Sequence, residues 1–261
     1  MAQVQSGDVS IYYETRGDGP AVVFAHGMGG NAMSWWQQVP SFVRRHRVIS
    51  FDHRGFARSP CPPEQFLPAR FADDLLAILD QEGIERAALV CQSMGGWTGM
   101  GLARRAPERV SALVLCSTPG GVETPAIREA RAQIAAGLAR EGGAVRGNLA
   151  LAPDYPKREP EKALLYDQIN GLNPGVPPDA LARLGGPECL VEPADLKGFA
   201  TPTLVIACEH DQLFPPKAIH DVAAAIPGAE LYDFAGVGHS SYFEDPQAFN
   251  ARVGAFVARH A

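Results

Sequence analysis

The chain has 261 residues, with 23 Lys and Arg against 29 Asp and Glu, for a net charge of −6. Hydrophobic residues make up 46% and charged residues 20%, which marks a globular chain and excludes wholesale disorder. A chain of this length buries about three quarters of its unfolded surface, so its core needs no disulfide or metal. No segment concentrates Lys and Arg, which argues against a nucleic-acid partner. No apolar run reaches the roughly 18 residues of a membrane span. The opening MAQVQSGDVSIYYE lacks a basic start followed by an apolar stretch, so no signal peptide is read there. Cys61, Cys91, Cys116, Cys189 and Cys208 are odd in number and show no CxxC spacing. They are read as reduced thiols of a cytoplasmic protein.

Residues 2–16 read as two antiparallel edge strands with Ser6-Gly7-Asp8 at the turn. Apolar runs follow at 21–25, 47–50, 87–91, 111–116 and 203–208, with an apparent strand at 229–234. The apolar runs do not alternate, which fits parallel strands buried on both faces. Between them, Phe71, Leu75, Ile78 and Leu79 share a helical face closed by Gly83. Ile219, Val222 and Ile226 mark a helix opened by Pro215 and Pro216, and Phe249, Val253, Phe256 and Val257 mark the last. The alternation predicts an α/β fold with a mostly parallel sheet. It breaks at 119–198, a proline-rich stretch with helical pieces at 125–141 and 160–170. Leu138, Leu149, Leu151, Leu164, Leu165, Ile169 and Leu172 give that stretch apolar surface to bury. The expected division is a core of 1–118 and 199–261 with a helical cap at 119–198.

The sharpest chemical signal is Val90-Cys91-Gln92-Ser93-Met94-Gly95-Gly96, which ends one strand and opens a helix at 94–106. A serine on such a turn is exposed at the sheet's C-terminal edge, beside a helix N-terminus. Crowding demands small residues two before and two after. Gly95 fits, and Cys91 stands where Gly is usual. The plainer alternative is a serine that only caps its helix.

A serine nucleophile needs a base, and the base needs a carboxylate. His239 follows Gly236-Val237-Gly238 in a tight loop at a strand end and is the base candidate. His46 and His260, beside arginines, read as solvated; His220 falls near the polar face of its helix. Asp211 clears the 203–208 strand by three residues and is the acid candidate, while Glu209 reads as surface. The order Ser93, Asp211, His239 is that of a nucleophile-elbow fold. Oxyanion donors are assigned to the backbone N–H of Met94 and of Met28, the latter in the loop His26-Gly27-Met28-Gly29-Gly30. Read as a phosphate cradle, that loop lacks both a following Lys-Ser or Lys-Thr and a GxGxxG pattern.

With these pieces the sequence resembles the α/β-hydrolase superfamily over essentially its full length. The matching segments are His26-Gly27, Asp52-His53-Arg54-Gly55-Phe56-Ala57-Arg58-Ser59, the turn at Ser93, Pro107-Glu108-Arg109-Val110, the loop at Asp211, and Gly238-His239 with Glu244-Asp245-Pro246. The resemblance implies an eight-stranded sheet with a cap after the sixth strand, and structural roles for His26, His53 and Arg54. Serine at the elbow argues against dehalogenases and epoxide hydrolases, which carry Asp there. The expected activity is a serine hydrolase of carboxylic esters or lactones, with a small-molecule substrate and no metal or organic cofactor. It would be a monomer or homodimer. Carbon–carbon bond cleavage by the same residues, or a small-molecule receptor with little turnover, are the alternatives. Residues 123–195 hold eight Lys or Arg and eleven Asp or Glu, so nothing there obviously collects a carboxylate. Trp97 reads as helix packing or pocket lining, and at least one of Trp35 and Trp36 as packed on the sheet.

Overall fold

Where the sequence runs apolar without alternating, the chain forms strands covered on both faces. The computed structural model describes residues 2–140 and 147–260, with the backbone alone at 138–140 and 147–148. Its strands are β1 (Ala2–Ser6), β2 (Val9–Arg16), β3 (Ala21–Ala25), β4 (Arg47–Phe51), β5 (Ala87–Gln92), β6 (Val110–Cys116), β7 (Thr203–Cys208) and β8 (Glu230–Phe234). They form one sheet in the order β1-β2-β4-β3-β5-β6-β7-β8. The pairs β1–β2 and β2–β4 are antiparallel and the rest parallel. Successive strand residues point to opposite faces, and both faces are apolar. Thus Leu89 and Cys91 join one core, while Ala88 and Val90 join the other.

The helices follow from amphipathic stretches. They are α1 (Val39–Phe42), α2 (Phe71–Gln81), α3 (Gly95–Arg105), α4 (Pro125–Arg140), α5 (Tyr155–Arg158), α6 (Pro160–Asn170), α7 (Ala180–Leu184), α8 (Pro216–Ala225), α9 (Ser241–Glu244) and α10 (Pro246–His260). In α2 the residues Phe71, Leu75, Ile78 and Leu79 are buried, and Asp73 and Asp74 sit in the first turn, where the helix dipole favours negative charge. Apolar residues of α2, α3 and α8 fill one face of the sheet; those of α1 and α10 fill the other.

The helices α4 to α7 interrupt the sheet between β6 and β7. At the base of this insertion Val122 and Val191 form a parallel bridge, with Val191 N–H donating to Gly121 at 2.8 Å and Glu123 N–H to Val191 at 2.9 Å. The residues that anchor the insertion differ in part from those expected. Leu151 and Ile169 are buried, but Leu149, Leu164 and Leu172 are exposed. In α6 the inward positions are Ala163, Tyr166 and Ile169, three apart, which turns Leu164 outward. The Leu138 side chain lies outside the described residues. His46, expected in solvent, is buried, and its Nδ1 lies 3.3 Å from the Phe42 carbonyl. All five cysteines are free thiols. Among the described residues no helix is long and apolar enough to cross a membrane.

Two buried histidines lock the loops after β3 and β4 together. His26 Nε2 accepts the His53 N–H at 3.0 Å, so its Nδ1 carries the proton and donates to Gly27 at 2.8 Å. His53 Nε2 meets Thr98 Oγ1 at 2.8 Å. Burial pushes His26 down to about 4 and His53 well below its ordinary value. Between about pH 4 and 6.5 the unfolded chain therefore binds more protons at His26 than the folded one. The stability His26 contributes is full above 6.5 and declines, by about 3 kcal/mol, as pH falls towards 4. In an NMR titration the His26 ring should remain neutral and Nδ1-protonated down to pH 5; an ordinary midpoint near 6.5 would show that the ring is solvated.

Candidate active site

The turn from β5 into α3 places Ser93 in the left-handed region, at φ +48°. A non-glycine residue there is strained, so the surroundings must hold it. Ser93 N–H donates to Cys116 at 3.0 Å, and its carbonyl accepts from Gly96 N–H at 2.9 Å. The turn is pressed against its neighbours. A Cβ on Gly95 would lie 2.2 Å from the Ala25 carbonyl oxygen, and one on Gly96 would lie 2.3 Å from Thr118 Oγ1. Cys91 is accommodated from the helix: a Cβ on Gly99 would meet its sulfur at 2.5 Å.

Asp211 and His239 come from the loops after β7 and β8. His239 Nδ1 and Asp211 Oδ2 are 2.8 Å apart, and both side chains are almost fully buried. The other carboxylate oxygen accepts the N–H groups of Leu213 and Phe214, each at 2.9 Å. Both oxygens are therefore engaged and the carboxylate is fixed in orientation. Burial works against the imidazolium, but the Asp211 charge and hydrogen bond outweigh it and hold the His239 pKa above its ordinary value. Glu209 is exposed and faces away, accepting the Gly236 N–H at 2.8 Å.

The loop after β3 reaches the same place. A Cβ on Gly27 would lie 2.9 Å from Ser93 Cβ and 2.2 Å from Gln92 Oε1, so only glycine fits there. Among the described residues, the amides of Met28 and Met94 have no backbone acceptor. Ser93, His239, Met28 and Met94 line one cavity of about 790 Å³, a volume suited to a small molecule. Its lining is mostly apolar and is drawn partly from α4, α6 and α7. Trp97 both lines the cavity and packs in an apolar cluster with Met94, Phe71 and Leu184, and its indole N–H donates to Leu184 at 3.0 Å. Trp35 is fully buried on the sheet, whereas Trp36 is 44% exposed.

Several supports escaped the sequence reading. Gln92 Nε2 donates to the His239 carbonyl at 3.0 Å, tying the elbow to the base loop. Asn31 Nδ2 donates to Ile169 at 2.9 Å and Asn173 Nδ2 to Gly29, which fastens the insertion to the loop holding Met28. Tyr166 Oη and Ser240 Oγ are 3.0 Å apart. Arg128 and Arg131 line the cavity, but both engage the buried Glu123, at 3.1 and 2.7 Å. These partners are up to 147 residues apart in the chain, and no local pattern signals them. Elsewhere, the Asp52–Ser59 loop is held by one buried and one half-buried ion pair. Arg54 Nε donates to Asp74 and Arg58 Nε to Asp52, each at 2.8 Å. His220 is exposed beside Asp233, and His210 is exposed.

A family model for the alpha/beta hydrolase fold matches residues 20–147 and 137–246. The chain is 31% identical over 263 residues to a 3-oxoadipate enol-lactonase 2 of Acinetobacter baylyi, spanning 97% of this chain and 94% of that protein. It is 30% identical over 272 residues to a putative carbamate hydrolase RutD of a Caulobacter species, spanning 99% and 100%. A solved structure described as an N-acyl homoserine lactone degrading enzyme superposes with TM-score 0.80 at 29% identity, covering 98% of this chain and 100% of that one. An enol-lactonase of Burkholderia xenovorans superposes with TM-score 0.78 at 24% identity, covering 98% and 100%, a likeness of fold.

The packing of Cys91 against Gly99 gives a test of the elbow's support. Gly99→Ala should destabilise the protein by about 1–2 kcal/mol, since the added methyl meets Cys91 and Leu113. Adding Cys91→Gly should recover part of that loss. Strictly additive effects in denaturant melts of the single and double variants would show that the two sites are not in contact.

Proposed function

The chain belongs to the α/β-hydrolase fold family and is a hydrolase of that fold; on this premise we propose that it cleaves a carboxylic ester or lactone through an acyl-enzyme on Ser93. The observation that carries the reading is the His239–Asp211 contact of 2.8 Å at the wall of the cavity that Ser93 enters from a left-handed turn. In this reading His239 Nε2 takes the Ser93 proton as the oxygen attacks the carbonyl carbon. Asp211 keeps the other ring nitrogen protonated and stabilises the imidazolium. The amides of Met28 and Met94 receive the negative charge on the carbonyl oxygen. The imidazolium then gives its proton to the departing alkoxide, and His239 activates water to release the acid.

The relatives support a carbonyl substrate. Those named for lactone chemistry include the A. baylyi enol-lactonase and the N-acyl homoserine lactone degrading enzyme. A carbamate is open to the same attack, and the relatives named putative carbamate hydrolases give that substrate a place in the assay. Residues 119–198 act in this reading as the cap, because α4, α6 and α7 contribute to the cavity wall. Acyl size should then govern turnover.

The proposal is tested with a panel of esters, lactones and carbamates. Ser93→Ala should abolish labelling by a fluorophosphonate and lower turnover by about six orders of magnitude. Labelling that survives this change removes Ser93 from the mechanism. Asp211→Asn should cost about 10⁴ in kcat, and Glu209→Gln less than about tenfold. The reverse pattern would move the acid to Glu209. Because the base acts when neutral, kcat/KM should rise with pH, with a midpoint above the ordinary 6.5. A profile that falls through that region contradicts the role given to His239.

A further inference from the structure

Glu244 lies five residues past His239 and has no part in the chemistry proposed above, yet its carboxylate joins two backbones that frame the site. Oε1 accepts the Gly238 N–H at 3.0 Å, and Oε2 accepts the Ala152 N–H at 3.1 Å. Gly238 immediately precedes the base, whereas Ala152 belongs to the insertion. The two backbones touch, since a Cβ on Gly238 would lie 2.3 Å from the Ala152 nitrogen. On its other side the same segment meets the acid loop, where Gln212 Nε2 donates to Leu151 at 3.2 Å. Leu151 and Ala152 are buried, and Ala150 lines the cavity. Residues 150–152 are thus wedged between the acid loop and the base loop, and one side chain closes the contact on the base side.

We infer that Glu244 is a positioning residue: as a carboxylate it clamps residues 150–152 onto the His239 loop, so that the site is assembled only when Glu244 has lost its proton. The inference rests on the function proposed above, in which His239 is the base. A carboxylate accepts at both oxygens. Protonation turns one of them into a hydroxyl whose hydrogen competes with an amide hydrogen, and one buried N–H loses its partner.

The charged and titratable groups facing this carboxylate are His239, Arg158, Tyr155 and Tyr166. Burial pushes Glu244 up to about 7, against the pull of the two amides, Arg158 and His239. Burial also raises both tyrosines, Tyr155 to about 12, so they stay protonated while Glu244 titrates. Arg158 pairs with Asp154 at 2.8 Å. Glu244 in turn favours the charged form of His239, so the two groups titrate together.

Amide exchange followed by NMR tests the clamp without reference to turnover. At one pH above 8, Glu244→Gln should speed exchange at Ala152 and Gly238 by about tenfold or more, with β5 unchanged. Unaltered protection at both amides overturns the clamp. The acid limb of kcat/KM then tests its consequence. In the wild type it should fall more steeply than one logarithmic unit per pH unit, because two protons must leave. Glu244→Gln should show a limb of unit slope and a plateau lowered about tenfold, the cost of one unpaired buried amide. Glu244→Asp keeps the charge but reaches only one amide; it should keep the steep limb with a lowered plateau and faster exchange at one position. If the Gln variant does not fold, the Asp variant carries both readouts. Equal slopes in wild type and Glu244→Gln, or a wild-type slope of one, refute the inference. If Ser93→Ala retained turnover while exchange at Ala152 and Gly238 still responded to Glu244, the functional reading would fail and the clamp would stand.

Discussion

The left-handed backbone at Ser93 is the constraint on which the site depends. It costs conformational energy, so it persists only where contacts on every side fix it. β3 supplies the Ala25 carbonyl against Gly95, β6 supplies the Cys116 carbonyl to the Ser93 amide, and Thr118 bears on Gly96. None of these contacts forms unless β3, β5 and β6 are adjacent and parallel, as the sheet order requires. The strained turn is therefore a product of the whole central sheet. The β3 loop is brought by the same pressure to within a glycine's width of the serine.

Around that turn the buried polar groups follow a consistent rule. Carboxylates that lose water gain full sets of donors: Asp211 has His239 and two amides, and Asp74 has a guanidinium. The two histidines with no carboxylate hydrogen-bonded to them, His26 and His53, are instead held neutral and used as hydrogen-bonded struts. His239 is buried like them but has Asp211 hydrogen-bonded behind it, and that carboxylate is the main influence that turns its pKa upward, with Glu244 acting in the same direction. Buried imidazoles of one chain thus have their proton affinities shifted in opposite directions for a stated reason.

The sheet was legible because its signal is local. Val22, Val23, Leu89 and Val114 are flanked by apolar residues on both sides, and such a run has few alternatives to a doubly covered strand. The turn at Ser93 and the loops of Asp211 and His239 were legible because each sits at the end of such a strand. The insertion was less so. Its leucines do not repeat at a helical period, and tyrosine and alanine, not Leu164, face inward in α6. The arginines beside His46 hide its burial: its ring packs against Phe42, four residues back, with ring centroids 5.8 Å apart and Nδ1 3.3 Å from the Phe42 carbonyl. Gln92, Asn31 and Asn173 carry no sequence signature at all, because their partners become neighbours only after the chain has folded.

The bridge between Val122 and Val191 has a consequence for how such a chain can change over time. The bridge lies outside the sheet, between the end of β6 and the start of β7, and it joins the two ends of the intervening 68 residues whatever lies between them. Closing a longer or shorter segment over that fixed gap costs only slowly more or less, roughly as the logarithm of its length. Helices can be added, lost or exchanged there while β6 and β7 keep their register. Selection for a new substrate can thus act on one stretch of the gene with little penalty in the part that forms the elbow.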